Sequence, residues 1–256
     1  MVARACNLAM FPMLTHPLIE AAIDLRNSLS GLTFAAPVTH VYQPLDYAWR
    51  PHTMYLERYA SKPKKVLFLG MNPGPYGMAQ TGIPFGEIAA VRDWMGITAV
   101  VGQPTDPHPK RPIEGFACAK SEVSGRRLWG LFSQHFPCAD DFFRDHFVAN
   151  YCPLVWMSAT GANITPDKLP AAEMQEVERA CQIHLQRVIE HLRPSFLVGV
   201  GAYAEQRLRS AAPQFQGTIT KILHPSPASP AANRDWAGTA QRQLVDAGIW
   251  PTSLIF

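Results

Sequence analysis

Four short apolar runs recur along the chain, at Lys65 to Leu69, Phe147 to Cys152, Phe196 to Val200 and Thr218 to Leu223. Each is rich in Val, Ile, Leu or Phe, as expected of strands buried on both faces. Between them the apolar positions take helical spacing. Residues from about Pro17 to Leu29 form one such stretch before the first run. Ile88, Val91 and Met95 mark a second, and Leu128, Leu131, Phe132 and Phe136 a third. The longest starts near Pro170, a residue suited to a first helical turn, and stops before Pro194. Its apolar stripe is Met174, Val177, Cys181, Leu185, Val188 and Leu192. Helices are also expected from Ala202 to Ala211 and from Pro230 to Ala247. Strands alternating with helices predict an α/β fold of three layers, α/β/α, around a central four-stranded parallel sheet. No internal repeat and no long linker interrupts the pattern, so one domain over residues 1–256 is expected. The segment Gln103 to Lys120, with Pro104, Pro107, Pro109 and Pro112, reads as a long irregular loop, and loops of that length are usually functional or mobile.

Composition narrows the class without naming a function. Of 256 residues 47% are hydrophobic and 17% charged, the balance of an ordinary soluble globular protein. The 23 prolines suggest stiffened loops, because apolar residues stay abundant throughout. A formal net charge of +3 is compatible with a polyanionic partner but does not demand one. Cys6, Cys118, Cys138, Cys152 and Cys181 are scattered with no C-x-x-C pair. That argues against a disulfide framework, a zinc site or an iron–sulfur cluster, and for reduced thiols in an intracellular protein. No stretch is long and apolar enough to span a membrane. Asn7 and Pro12 interrupt the mildly apolar N-terminus, which argues against a signal peptide.

Candidate chemistry lies where apolar runs end. Gly70-Met71-Asn72-Pro73-Gly74-Pro75 follows the first run and His224-Pro225-Ser226-Pro227 follows the fourth. In an open α/β sheet, ligands bind beyond the carboxyl ends of the strands. If the two runs are neighbouring parallel strands, an amide and an imidazole share one cleft. The Gly and Pro residues of the first turn stiffen it and let a ligand approach the backbone closely. Asn72 at its tip would orient a water without deprotonating it; the plain alternative is an Asn tolerating an unusual turn angle. A neutral His224 N–H aimed into a dry cleft would stabilise an anion forming on a leaving group; alone, such a histidine is more often simply buried against a carbonyl. Asn150 offers a donor and an acceptor side by side, suited to the edge of a base or to local backbone. Phe85 would stack a planar ring, or else belong to the core. Gly199-Val200-Gly201-Ala202-Tyr203-Ala204 superficially fits a dinucleotide fingerprint, but no suitably placed acidic residue follows, so it reads as a turn allowing close backbone approach. Lys110, Arg111, Lys120, Arg126 and Arg127 make a basic zone, and Asn233-Arg234 adds to the last helix; such residues are a solvated surface or phosphate contacts. Paired carboxylates, as in ordinary sugar hydrolases, are not evident.

These segments resemble the single-strand-selective monofunctional uracil-DNA glycosylases, within the uracil-DNA glycosylase superfamily. The matching residues are Leu67 to Pro75, Gly77 to Glu87, Ser121-Glu122-Val123-Ser124-Gly125, Asn150 to Leu154, Gly161-Ala162-Asn163 and His224 to Pro227. They run in order from about Tyr47 to the C-terminus. The resemblance implies removal of uracil, and of 5-hydroxymethyluracil, from single- and double-stranded DNA, with no metal and no cofactor. It makes Asn72 and His224 the catalytic pair, one holding the attacking water and the other stabilising the departing base. It makes Met71, Gly74, Phe85 and Asn150 substrate-binding residues, with Gly74 leaving room for small ring substituents. Pro225, Ser226, Pro227, Asn233 and Arg234 fall in or beside a wedge that enters the duplex. Vertebrate members carry an arginine directly after His-Pro-Ser-Pro; this chain has Ala228, which leaves the grip on double-stranded DNA in question. The expected partner is DNA holding uracil or oxidised or deaminated bases, bound by a monomer in bacterial cytoplasm or eukaryotic nucleus, with no membrane contact. The competing readings are a superfamily glycosylase preferring xanthine, and a non-catalytic reader of damaged DNA.

Overall fold

The computed structural model describes residues 16–254. The expectations resting on Cys6, Asn7 and Pro12 therefore lie outside the described residues. In chain order the helices are α1 (Pro17–Leu29), α2 (Pro44–Tyr47), α3 (Trp49–Tyr59), α4 (Met78–Thr81), α5 (Val123–His135), α6 (Ala139–Asp145), α7 (Ala171–Leu192), α8 (Ala202–Ala211) and α9 (Pro230–Asp246). The strands are β1 (Val38–Tyr42), β2 (Val66–Gly70), β3 (His146–Asn150), β4 (Val155–Ser158), β5 (Asn163–Ile164), β6 (Phe196–Val200) and β7 (Thr218–Ile222).

The central sheet has the order β3-β2-β6-β7, and every neighbouring pair is parallel. It is the expected four-stranded parallel sheet, built from the four apolar runs. Every residue of β2 is buried, whereas β7 keeps Thr218 and Lys221 exposed because it lies at an edge. The chain leaves β2 toward β3 on one side and later returns through β6 on the other. That reversal opens a crevice beyond the carboxyl end of β2. On α7 the buried residues are the expected stripe from Met174 to Leu192, and α1 packs against it.

Several boundaries differ from expectation. β3 ends at Asn150, two residues before Cys152, yet the pairing runs on: Tyr151 N–H donates to Gly70 O at 2.9 Å and Cys152 N–H to Met71 O at 3.0 Å. The stretch marked by Ile88, Val91 and Met95 becomes a π-helical turn over Ala90–Trp94, and Phe136 caps α5 rather than extending it. A second, antiparallel sheet of order β1-β4-β5 went unforeseen. Its strands are short, and β1 carries an irregularity between Val38 and His40 that breaks the alternation a sequence reading relies on.

The loop from Gln103 to Lys120 is irregular apart from a 3-10 turn at Gly115–Ala117, and it is held in place. Gln80, 1% exposed, anchors it. Its Nε2 donates to Pro75 O and Pro112 O, both at 3.0 Å, and its Oε1 accepts from the N–H groups of Glu114 at 2.8 Å and Gly115 at 3.0 Å. Both amide protons and both oxygen lone pairs are thus used. Tyr42 adds a second tie, donating to Arg111 O at 2.8 Å and accepting from His108 N–H at 2.7 Å. Gln80→Leu leaves the Gly115 N–H unpaired in a buried setting, at about 1–3 kcal/mol, and the other three groups unpaired in part-buried ones, where water recovers some of the loss. The expected outcome is a lower denaturant midpoint, with faster amide exchange at Glu114 and Gly115 than elsewhere in the chain.

Candidate active site

A cleft of about 760 Å³ opens beyond the carboxyl ends of β2, β3 and β7. Its walls bring together Met71, Asn72, Gly74, Phe85, Asn150 and His224, with Ser226 and Pro227 at one rim. Residues roughly 150 apart in sequence therefore meet on one surface, as the parallel sheet requires. Pro225 is buried beneath the rim, and Asn233 and Arg234 lie on exposed positions of α9.

The floor is set by the pairing of Gly70 with Asn150 across β2 and β3. A Cβ on Gly70 would stand 2.4 Å from Asn150 Oδ1 and 2.5 Å from Phe85 Cε2. Only a bare backbone there lets the amide and the ring come together. Asn150 Nδ2 donates to Met78 Sδ at 3.4 Å, while Asn150 Oδ1 is buried with no hydrogen-bond partner. A buried carbonyl oxygen without a protein donor is costly and is open to any hydrogen-bond donor that enters the cleft. Phe85 takes a left-handed backbone, φ 53°, which costs a non-glycine residue roughly 1–3 kcal/mol. Its carbonyl is tied down by Trp129 Nε1 at 3.0 Å, and a Cβ on Gly125 would lie 2.0 Å from that oxygen. Helix α5 thus braces the ring from behind.

Asn72 Nδ2 donates to Leu154 O at 3.1 Å and Pro73 O at 3.3 Å. Both protons are engaged by the protein, so Oδ1 is the free end, able to accept a hydrogen bond from water. His224 rests on Gly201, whose φ is +93° and whose added Cβ would lie 3.1 Å from the histidine Cβ. The glycines of the fingerprint-like segment serve such close packing: Gly199 likewise makes room for the Glu205 backbone. His224 Nδ1 accepts the Ser226 N–H at 3.1 Å, which puts the ring proton on Nε2. Burial lowers the imidazole pKa, so the ring is a neutral donor at pH 7. The Phe85 and His224 ring centroids are 6.5 Å apart.

Two cleft residues escaped the sequence reading as individuals. Met78 holds the Asn150 amide; a lone Met at a helix start carries no chemical signal. Glu122 sits beneath the Gly74–Gly77 turn, with Oε2 3.5 Å from the position a Gly74 Cβ would take. Burial pushes its carboxyl pKa up, against hydrogen bonds from Ser124 and Gly125 that lower it. The basic zone divides. Lys110, Lys120 and Arg126 are exposed, whereas Arg111 donates to Gly161 O and Tyr76 Oη, both at 2.8 Å, and Arg127 turns toward the His224 loop. No group of three or more metal-ligating side chains occurs among the described residues.

Chemically, the arrangement can hold a planar ring on Phe85 and offer a bare acceptor to its edge. It can steer water with Asn72 and support a developing anion with His224. For the histidine, proton titration by NMR is expected to show Nε2–H at pH 7 and a midpoint below the ordinary value of 6.5. The unfolded chain takes up that proton first, so the stability this group contributes is complete above pH 6.5 and falls as pH drops.

Comparison with known proteins places this cleft in context. A family model described as the uracil DNA glycosylase superfamily matches residues 57–244. The chain is 46% identical over 242 residues to a single-strand selective monofunctional uracil-DNA glycosylase of Rattus norvegicus, covering 93% of this chain and 86% of that protein. It is 45% identical over 242 residues to the Bos taurus protein of that description, covering 93% and 88%. The crystal structure of Pedobacter heparinus SMUG2 aligns with a TM-score of 0.59 at 16% identity, over 91% of this chain and 95% of that one, a likeness of fold.

Proposed function

The chain belongs to the uracil-DNA glycosylase superfamily and is a monofunctional uracil-DNA glycosylase, a hydrolase of N-glycosyl bonds, and we propose that Asn72 and His224 carry its reaction while Asn150 and Phe85 select the base. The observation carrying this assignment is the buried, unpartnered Asn150 Oδ1. Uracil presents an imide N–H beside a carbonyl. The first satisfies Oδ1, and the second accepts the Nδ2 proton not directed at Met78. Cytosine reverses both partners and leaves buried groups unpaired, at about 1–3 kcal/mol for each.

The target nucleotide must leave the base stack to reach this depth, at a cost of a few kcal/mol. As the glycosidic bond breaks, positive charge gathers on the sugar and negative charge on the departing base. A neutral His224 Nε2–H, already aimed and largely dry, stabilises that anion without reorganising. A water positioned by the free Asn72 Oδ1 adds to the sugar cation, and the proton it then loses passes to the expelled base anion or to solvent. No strong base is required, and none is provided. Asn72→Ala and His224→Ala are each expected to slow uracil release roughly 100- to 1000-fold, on the scale of losing one donor from an anion-stabilising site. Single-turnover assays on a uracil oligonucleotide, with DNA binding followed separately, check this; parent-like rates in both variants would overturn the roles.

We extend the assignment to 5-hydroxymethyluracil and to double-stranded as well as single-stranded DNA. The space around Gly74 supports the first extension, since a Cβ there meets only Glu122 Oε2, at ordinary contact distance. The same geometry makes Gly74→Ala a clean test: the fold accepts the methyl group, while room beside the ring shrinks. The expected outcome is an unchanged melting temperature, near-parental uracil release and a marked loss on 5-hydroxymethyluracil. Equal losses on both substrates would remove Gly74 from substituent recognition.

A further inference from the structure

Arg127 reads from the sequence as a solvated surface residue or a phosphate contact, yet its guanidinium is committed to the protein. Nη1 donates to Pro225 O at 3.0 Å and Ser226 O at 3.3 Å, and Nη2 donates to Asn233 Oδ1 at 2.9 Å. Asn233 closes the arrangement by donating from Nδ2 to Pro227 O at 2.8 Å. The remaining hydrogen bonds of residues 225–229 stay within the loop or reach His224 and α9: Ser226 to His224, Ala228 and Ser229 to Ser226, and Ala232 and Asn233 to Ser229. Among the described residues, Arg127 therefore ties this loop to the opposite wall of the cleft.

We propose that Arg127 is a positioning residue that aims His224 by fixing the 225–227 backbone. The reasoning follows the bonds in order. Ser226 N–H selects the His224 tautomer, Arg127 holds Ser226 and Pro225 by their carbonyls, and α5 carries Arg127. Three acceptors on two separate segments suit a planar fork, which a lysine ammonium cannot reproduce. All three are neutral oxygens, so the interaction is directional rather than an ion pair. Displacement of a catalytic group by about 1 Å can cost roughly 100-fold in rate, so a distant latch has leverage on the chemistry.

This inference rests on the reading of the cleft as a uracil site, and the experiment separates the two. Single-turnover uracil release is measured at saturating enzyme for the parent and for Arg127→Ala, Arg127→Lys, Asn233→Ala, His224→Ala and the Arg127→Ala/His224→Ala double variant. Arg127→Ala is expected to slow release roughly 10- to 100-fold with oligonucleotide affinity nearly unchanged, and Arg127→Lys to recover only part of it. In the His224→Ala background, Arg127→Ala is expected to add almost nothing, because it acts through the imidazole. A general structural role would instead give the same loss in both backgrounds, and that result overturns the proposal. So does a parental rate in Arg127→Ala. Asn233→Ala keeps the arginine and removes one of its acceptors together with the bond to Pro227 O, so a smaller loss with the same dependence on His224 decides the matter even where Arg127→Ala folds poorly. A parent protein that releases no uracil would refute the functional reading itself, not this latch.

Discussion

At Gly70 two functional side chains and one strand end compete for the same few ångströms, and the rest of the cleft follows from how that competition is resolved. The parallel register places Asn150 opposite Gly70, so the amide enters the cleft at a depth fixed by sheet hydrogen bonds and not by a mobile loop. The ring of Phe85 reaches the same point only by adopting a positive φ. Its strain is opposed by one hydrogen bond from the Trp129 indole and by close packing of the Gly125 backbone beneath its carbonyl. A net hydrogen bond contributes about 0.5–1.5 kcal/mol, comparable with the cost of the angle. Neither feature would hold alone; the bare Cα atoms at Gly70 and Gly125 make them compatible.

Burial also sets the charge state of the site. It drives His224 toward neutrality and Glu122 toward its protonated form. For a reaction that expels an anion these shifts work in the same direction. A carboxylate beside the departing base would repel it, and raising the Glu122 pKa lessens that repulsion. A neutral imidazole needs no counterion in the cleft and keeps Nδ1 free for Ser226, which an imidazolium would not. The imidazole is thus a polar group without a charge, and a partly dry setting strengthens the hydrogen bond it aims at developing charge.

How much of this was legible in the chain follows from the range over which each signal acts. The four sheet strands were visible because burial on both faces leaves an unbroken apolar run, and α7 because six apolar positions keep one face over its whole length. Asn72 and His224 stood out because each follows such a run, and a strand end is a place where side chains converge. The antiparallel sheet was missed because β1 mixes Thr39 and His40 with apolar residues, and β5 has only two residues. Gln80 was invisible for another reason. Its four partners lie in backbone, and backbone hydrogen bonding leaves no mark on the identity of Pro75, Pro112, Glu114 or Gly115. Asn233 and Arg127 looked like surface residues because composition cannot tell a guanidinium facing phosphate from one facing carbonyls.

The spacing along α5 explains why one helix can serve both walls. Gly125 and Trp129 are four residues apart and share a face, the one turned to Phe85. Arg127, at about 100° per residue, points well away from that face and toward the loop after β7. Glu122, capping the helix start through the Ser124 N–H, lies under the turn that carries Asn72 and Gly74. Helix α5 accordingly stands between the stacking ring, the water-holding turn and the imidazole, and touches the support of each. A shift of this helix would move all three together, so their mutual geometry survives small motions of the sheet better than if each rested on its own loop. The preorganisation that the reaction needs is in this sense a property of one rigid element, with the strand ends supplying the atoms and α5 supplying their alignment.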